Sequence, residues 1–502
     1  MFSISLIRMS KKIFLPVLIL MCCQFTTKAN FFYDSNCIEA YKAIIGLRLP
    51  EARILIQKEK QQNPQNGIII LLENTADYFN ILLSSESKND FEKLNDIRSD
   101  RISALEDNDK NSPFCLFAQA EIYMQSSFLR AKFSDYVSSG FDAKKAANLL
   151  KENAKKYPDF LPNQKSLALV NVIFGSIPAG VRGFTRFLGM NGDASLGIKQ
   201  LEQLRTDLPK SKYGFYTDEV IFYLCNINID ARHNYAAYPK LISYLDELDK
   251  NSLLRAYLMG HIAAKSGHND DAIRYLEARP KGLQYMNLPA IDYQLGISKL
   301  SRMDNDANLY LEKYVNEFKG INYIKDACLK LAFFYLLQNN QDKYNNCIAL
   351  VKAKGHNSDE RDKEALSESY EAKPDLDVLK ARLYFDGGYN DKALNQLLNK
   401  DANKLTILRD KIEYYYRLGR VYDKTDKPTE ALLNYQRTIN VGKNSNLYYI
   451  ANAALNMGRI YEEKHDFKKA AEYYQQTLDM KAHEYQSSID NDAKEGLKRV
   501  SK

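Results

Sequence analysis

The sequence predicts an all-α protein in which antiparallel helix pairs stack into a repeat array. A pattern of large rings, one Gly and one Ala occurs twice in tandem in the last third of the chain, and weaker copies recur upstream at intervals of 36 to 39 residues. The composition is that of an ordinary folded chain, 45% hydrophobic and 26% charged, which excludes wholesale disorder and a polytopic membrane protein. Thirty-five Tyr stand beside no Trp, and a ring with a wet hydroxyl suits both helix seams and a binding groove.

In chain order, residues 1–29 read as an export signal. A basic Met9-Ser10-Lys11-Lys12 precedes an apolar core from Ile13 to Cys23, and Thr27-Lys28-Ala29 supplies a small-x-small cleavage site. That core is too short for the roughly 20 apolar residues that span a bilayer. The expected location is export to the periplasm or cell envelope. A lipid anchor on Cys22 or Cys23 is the alternative, against which Met21 and Cys22 are poor neighbours for the lipidation cut. Membrane association would then not use a transmembrane span of the mature chain: the best later apolar run, Leu167 to Val181, is broken by Asn171, Ser176 and Pro178.

Residues 30–205 form an irregular helical region with degenerate repeats. AYKAIIGLRLPEARILI has helical periodicity, and LFAQAEIYM with DAKKAANLLKENAKKYPDF read as two arms of one hairpin, separated by an insertion around Phe133 to Phe141. Gly175 to Gly197 holds six Gly and one Pro, which predicts a loop with a short amphipathic helix. An exposed patch of Phe184, Phe187, Leu188 and Met190 there would favour lipid handling.

Residues 206–351 carry degenerate repeats. Met259, Gly260, Ala263, Ala272 and Leu276 make one unit; Leu295, Gly296, Ala307 and Leu311 make the next, one residue short between Gly and Ala. Residues 352–375 are highly charged and predict a linker of loop and one exposed helix. Residues 376–502 hold the clearest repeats: Tyr384, Gly387-Gly388, Ala393 and Leu397; then Tyr415, Leu418, Gly419, Tyr422, Ala431 and Tyr435; then Ala454, Met457, Gly458, Tyr461, Ala470 and Tyr474. Gly to Ala is 12 residues in both of the last two. Antiparallel helices cross closely only where one presents a small residue, so Gly419 is expected to face Ala431 while the rings fill the flanks.

These spacings resemble the tetratricopeptide-repeat superfamily, with Tyr in place of its Trp and Phe. The resemblance implies a right-handed superhelical solenoid with a concave, peptide-binding face and no intrinsic chemistry. Pro178, Gly189, Gly192, Asp193, Gly197 and Leu201, together with the later KARLYFDGGYNDKALNQL, are also similar to a eukaryotic tetratricopeptide family of outer-mitochondrial-membrane, inclusion-clearance proteins and to exported bacterial proteins of like layout. That likeness implies architecture and transfers no activity.

The residues point to no catalytic site, metal or cofactor. His233, His261, His268, His356, His465 and His483 show no ligand spacing. GMNGDASLG lacks the Lys-Ser/Thr of a phosphate loop, and the chain has no GxSxG. Adjacent acids such as Glu462-Glu463 and Asp270-Asp271 diverge on a helix and read as solvated charge. Cys37, Cys115, Cys225, Cys328 and Cys347 are widely spaced without CxxC, so buried thiols are expected, with a Cys328–Cys347 bridge conceivable across one hairpin. Of 70 basic residues, Arg8, Lys11, Lys12 and Lys28 fall within the first 29, leaving 66 against 63 acids. That balance is no nucleic-acid signature.

The expected partner is a protein or peptide, held by an exported, non-enzymatic scaffold. The alternative is an accessory subunit whose catalytic or lipid-handling role lies in the irregular N-terminal region. Candidates for partner contact lie between the packing positions of the first helix of each pair: Tyr257, His261, Tyr416, Arg420, Asn452 and Arg459. Arg420 and Arg459 fall at the same place in successive units and could together hold a carboxylate. The Lys and Asn pairing of a carboxylate clamp is missing.

Overall fold

The computed structural model describes residues 30–177, 189–357 and 359–501. The export signal therefore lies outside the described residues. Apart from one isolated bridge between Asn30 and Asn66, the regular elements described are helices. None of them is long and apolar enough to cross a membrane. The chain divides into two compact units. The first takes residues up to Ile44, Leu49–Tyr78 and Glu92–Tyr216, and the second takes Ile45–Arg48, Phe79–Phe91 and Thr217–Lys502. The division thus falls near 216, where sequence reading placed it at 205, and two short N-terminal pieces join the C-terminal unit: Leu253 N–H donates to the Gly46 carbonyl and Met286 N–H to that of Leu47, and Asn322 N–H donates to the Glu86 carboxylate at 3.2 Å.

In the first unit, α1 (Ser35–Ile45) and α2 (Leu49–Gln62) precede the long hairpin of α3 (Pro113–Lys132) and α4 (Tyr136–Lys156). The insertion expected at Phe133 to Phe141 is only a three-residue turn. Asp135 caps α4 by accepting from Ser138 N–H, so residues from Tyr136 onward are already helical, with Tyr136, Val137 and Phe141 exposed. Next, α5 (Leu161–Gly175) packs on α6 (Ala194–Asp207). Gly197 permits this: a Cβ there would stand 2.5 Å from the Ala168 carbonyl oxygen. Of the apolar patch expected in this region, Phe184, Phe187 and Leu188 lie outside the described residues, as does Pro178, and Met190 is buried.

The second unit is a run of hairpins: α7 (Leu253–Lys265) with α8 (Asn269–Glu277), α9 (Pro289–Arg302) with α10 (Ala307–Glu317), and α11 (Ile324–Leu337) with α12 (Gln341–Ala353). After an extra helix α13 (Glu360–Glu368) come α14 (Leu376–Asp386) with α15 (Asn390–Leu398), α16 (Leu408–Lys424) with α17 (Pro428–Val441), α18 (Tyr448–Glu463) with α19 (Phe467–Asp479), and a closing α20 (Gln486–Val500).

One interlock builds these pairs. Ala272, Ala307, Ala393, Ala431 and Ala470 are fully buried, as expected. The Gly, however, receives the large residue one turn beyond that Ala. A Cβ on Gly260 would meet Leu276 at 2.4 Å, on Gly296 Leu311 at 2.5 Å, on Gly419 Tyr435 at 2.5 Å and on Gly458 Tyr474 at 2.7 Å. Gly458→Leu should overpack its crossing by about 1–3 kcal/mol, read as a lower urea midpoint with unchanged slope. The turn between paired helices is equally regular, with one residue at positive φ: Gly267, Met303, Asn339, Gly388, Asp426 and His465.

The charged linker forms a loop and a helix, but one face of that helix is buried where its composition suggests exposure throughout. In α13, Asp362 and Ala365 are buried. Asp362 accepts from the backbone N–H groups of Tyr323 (2.7 Å), Lys325 (2.9 Å) and Asp326 (3.1 Å), capping α11 from another helix. Arg361 donates to the Tyr293 hydroxyl on α9 at 3.3 Å, and Glu368 accepts from Arg382 on α14 at 2.7 Å. These acids and bases satisfy helix ends and buried partners instead of facing water.

Candidate binding groove

The first helices of the hairpins, joined by α13, supply the walls of two cavities in the second unit. One, ≈ 250 Å³, is bounded by Lys265, Gln294, Ser298, Arg361 and Leu383, among others. The other, ≈ 270 Å³, is bounded by Glu371, Arg409, Arg417, Tyr448, Glu484 and Tyr485, among others. Lys330, Glu364 and Asp386 line both, so the two adjoin.

A buried ionic layer lies beneath the second cavity. Glu413, fully buried, accepts from Arg382 Nε at 2.7 Å and Nη2 at 2.6 Å, and from Arg417 Nε at 3.1 Å. Burial opposes the charge of Glu413, but Arg382 and then Arg417 override it and hold the carboxyl down at about 2. Arg409 spans Asp410 through Nε (3.2 Å) and Nη2 (2.8 Å), while its Nη1 is buried without a partner. Nearer the opening, burial and then Asp326 push Glu364 up to about 6. Sequence reading missed this layer. Glu413, Arg417 and Arg420 follow i, i+4, i+7 spacing on α16, so the stripe was legible from Arg420, but that two Arg meet one Glu across helices was not.

The six candidate contacts have different fates. Tyr257 and His261 do lie together, their rings 5.9 Å apart and nearly parallel, and His261 Nε2 stands 2.9 Å from Asp230. Tyr416 is a correction: it is 1% exposed, packed against Tyr435 and Tyr449, because its position on α16 points between hairpins and not into the groove. Arg420 donates to the Tyr416 hydroxyl at 3.0 Å and lies 5.0 Å from the Phe385 ring centre. Asn452 is half-buried. Arg459 is exposed and pairs with Asp492 on α20 at 2.7 Å. The expected joint carboxylate site is therefore also corrected: the closing helix supplies a carboxylate to Arg459, whereas Arg420 turns to rings.

The five described cysteines are buried free thiols, including Cys328 and Cys347. Burial, then Cys347, pushes Cys328 up to about 12, and burial, then Glu312, pushes Cys347 to about 11, far from a reactive thiolate. In the first unit Asp34, Cys37 and Glu59 bring potential metal-ligand atoms within 4.8 Å of one another. Amide groups already donate to Glu59 there, from Asn36 at 3.3 Å and from Asn63 and Asn66 at 3.0 Å, so both of its oxygens already accept hydrogen bonds.

A family model described as tetratricopeptide repeat matches residues 410–482. No curated protein matches the sequence. Among solved structures, a Rap protein complexed with competence and sporulation factor is 12% identical, with a TM-score of 0.31 over 81% of this chain and 96% of that one. The human IFIT1 dimer with m7Gppp-AAAA is 12% identical, with 0.27 over 89% and 95%. Yeast Tom70 is 13% identical, with 0.23 over 90% and 86%. At these scores the overlaps lend no argument about this chain, and the ligands named belong to those proteins. The matched segment is the one whose Gly and Tyr interlocks are described above, so residues 410–482 are tetratricopeptide repeats.

Proposed function

We propose that this protein is a non-enzymatic scaffold which holds an extended segment of a partner protein along the inner face of its second unit. The observation that carries the reading is the pair of adjoining cavities, lined from successive first helices and floored by a fixed ionic layer. An extended chain offers backbone donors and acceptors at regular intervals, and a groove of alternating Arg, Glu, Ser and Tyr answers both. Repeat arrays make such grooves because each hairpin adds one strip of the same face.

The test is a photocrosslinking residue placed at Gln294 or Ser367, in the two cavities, and at Leu433, exposed on the second helix of its hairpin. The expected result is one defined partner captured from the two inner positions and not from Leu433. Equal capture from all three would overturn the reading. The proposed setting is the cell envelope, supported by the signal-like character of residues 1–29. Mass measurement of the protein from its source is expected to show cleavage after Ala29, and an uncut, unlipidated chain would count against export.

A further inference from the structure

The charges around the ≈ 250 Å³ cavity are not equally engaged. Two of its three acids have partners: Asp326 accepts from the Tyr293 hydroxyl at 2.6 Å and lies 3.7 Å from Lys330, and Asp386 lies 3.6 Å from Arg417. The third, Glu364, makes no ion pair, and burial, then Asp326, raises it to about 6, so its charge is easily lost. Two of the cations in the wall stand without a carboxylate. Lys265 on α7 has none within ion-pair distance among the described residues, and Arg361 on α13 gives one Nη to the Tyr293 hydroxyl at 3.3 Å while its Nε and other Nη have no acceptor there.

Two hydroxyls adjoin these cations. Tyr257, His261 and Lys265 follow i, i+4, i+8 spacing along one face of α7, and only Lys265 reaches the cavity wall. Tyr323, at the N-cap of α11, lies flat on Tyr293 at 5.0 Å, with the Arg361 guanidinium 5.4 Å from its ring centre. The Tyr257 and Tyr323 hydroxyls have no hydrogen-bond partner among the described residues, and neither they nor the unengaged nitrogens of Lys265 and Arg361 are sealed from solvent. The groups sense one another: after burial, Arg361 is what lowers Lys265, and Tyr323 is what raises the Tyr257 hydroxyl. Donors from α7, the start of α11 and α13 thus lie together without an acceptor. The neighbouring acids are taken: Asp230 by His261 at 2.9 Å, Asp359 by the Arg361 backbone N–H at 2.9 Å and Glu86 by the Asn322 N–H at 3.2 Å. Half-buried donors that stay open to solvent and lack a protein acceptor mark where a ligand oxygen would sit.

We propose that Lys265 and Arg361, with the Tyr257 and Tyr323 hydroxyls, form a subsite for the carboxylate of an acidic side chain, Asp or Glu, in the extended segment bound along the groove. The open edge of Arg361 and the Lys265 ammonium donate to the carboxylate oxygens, and the two hydroxyls complete their hydrogen bonding. The acids nearby favour a single negative charge over the double charge of a phosphate. A basic side chain is disfavoured here, because it would add a third cation to two that already oppose each other. The subsite rests on the groove being a peptide site, and the experiment separates the two.

The probes are three fluorescein-labelled, C-terminally amidated decapeptides of Gly, Ser and Ala that carry Glu, Gln or Lys at the same two positions. Gln keeps the shape and removes the charge, and amidation removes the terminal carboxylate. By anisotropy the Glu peptide is expected to bind at least about tenfold more tightly than the Gln peptide, with the Lys peptide weakest. Lys265→Met should remove most of that preference without changing the Gln-peptide affinity. It should also leave the thermal midpoint equal or higher, since a half-buried cation without a carboxylate stabilises nothing in the free protein. Tyr257→Phe, which takes away one hydroxyl, should lower the preference about threefold. Equal binding of the Glu and Gln peptides, tighter binding of the Lys peptide, or a preference that survives both variants would overturn the subsite and leave the groove standing. Should Lys265→Met lose its fold, an unchanged preference in Tyr257→Phe would overturn the subsite by itself. Binding of none of the three peptides would overturn both subsite and groove.

Discussion

Replacing Glu413 by Gln should cost the second unit on the order of 3 kcal/mol, toward the lower end of the range for breaking a buried ion pair. The change keeps the shape and removes the charge, leaving the Arg417 guanidinium without its 3.1 Å partner and Arg382 with only Glu368 at 2.7 Å. Because Glu413 touches helices from two hairpins, the loss should appear as a lower urea midpoint for the whole unit. Acid should reproduce it. A carboxyl held at about 2 in the fold and at its ordinary value in the unfolded chain contributes stability that is complete above roughly pH 4.5 and is lost as pH falls toward 2. Glu413→Gln should therefore flatten the stability profile in that window, with its full loss near neutrality and little difference from the parent toward pH 2. Arg382→Met, Glu413→Leu, Arg417→Met together should cost much less than the single change, since no fully buried charge is stranded and the carboxylates that lose an arginine, Glu368 and Asp386, both reach water. A single change as mild as a surface substitution would show that the layer contributes nothing.

Gly388→Ala should cost about 2–4 kcal/mol, from two independent penalties. Gly388 has a φ of 78°, which a Cβ disfavours, and that Cβ would stand 2.2 Å from the carbonyl oxygen of Gly267 in the turn of a hairpin far back in the chain. Neighbouring Tyr389 fixes the approach by accepting from Asn269 Nδ2 at 3.2 Å and donating to Asp270 at 2.9 Å. Gly267→Ala is the internal control. Its φ of 81° carries the same backbone penalty, but its Cβ would have only the Gly388 Cα at 3.7 Å, ordinary contact. It should lose only about 1–2 kcal/mol. Equal losses at the two positions, read from urea midpoints, would show that the turns do not meet.

The hairpins and their turns were open to sequence reading because both rest on local needs. A helix crossing requires Gly or Ala at a fixed offset from a large residue, so Gly260, Gly296, Gly419 and Gly458 announce their pairs, down to the missing residue between Gly296 and Ala307. The groove was legible only in part. Tyr257 and His261 lie as ring neighbours but line neither cavity, whereas Tyr416 is buried in the seam between hairpins, and helical spacing alone does not fix how a helix is rotated against its neighbours.

By itself the sequence determined an all-α chain of stacked helix pairs, where each pair turns, and which small residues let the helices touch. Those features depend on residues within one hairpin, whose separation the chain sets directly. The tertiary structure alone decided that α13 is drawn inward with Asp362 capping α11, that Glu413 lies between two arginines, and that the α7–α8 and α14–α15 turns meet at Gly267 and Gly388. Each of these joins groups more than 25 residues apart in sequence, Arg417 excepted, which lies one helical turn from Glu413. Whether a charge becomes solvated surface or buried partner depends on what arrives opposite it, and no local pattern specifies that.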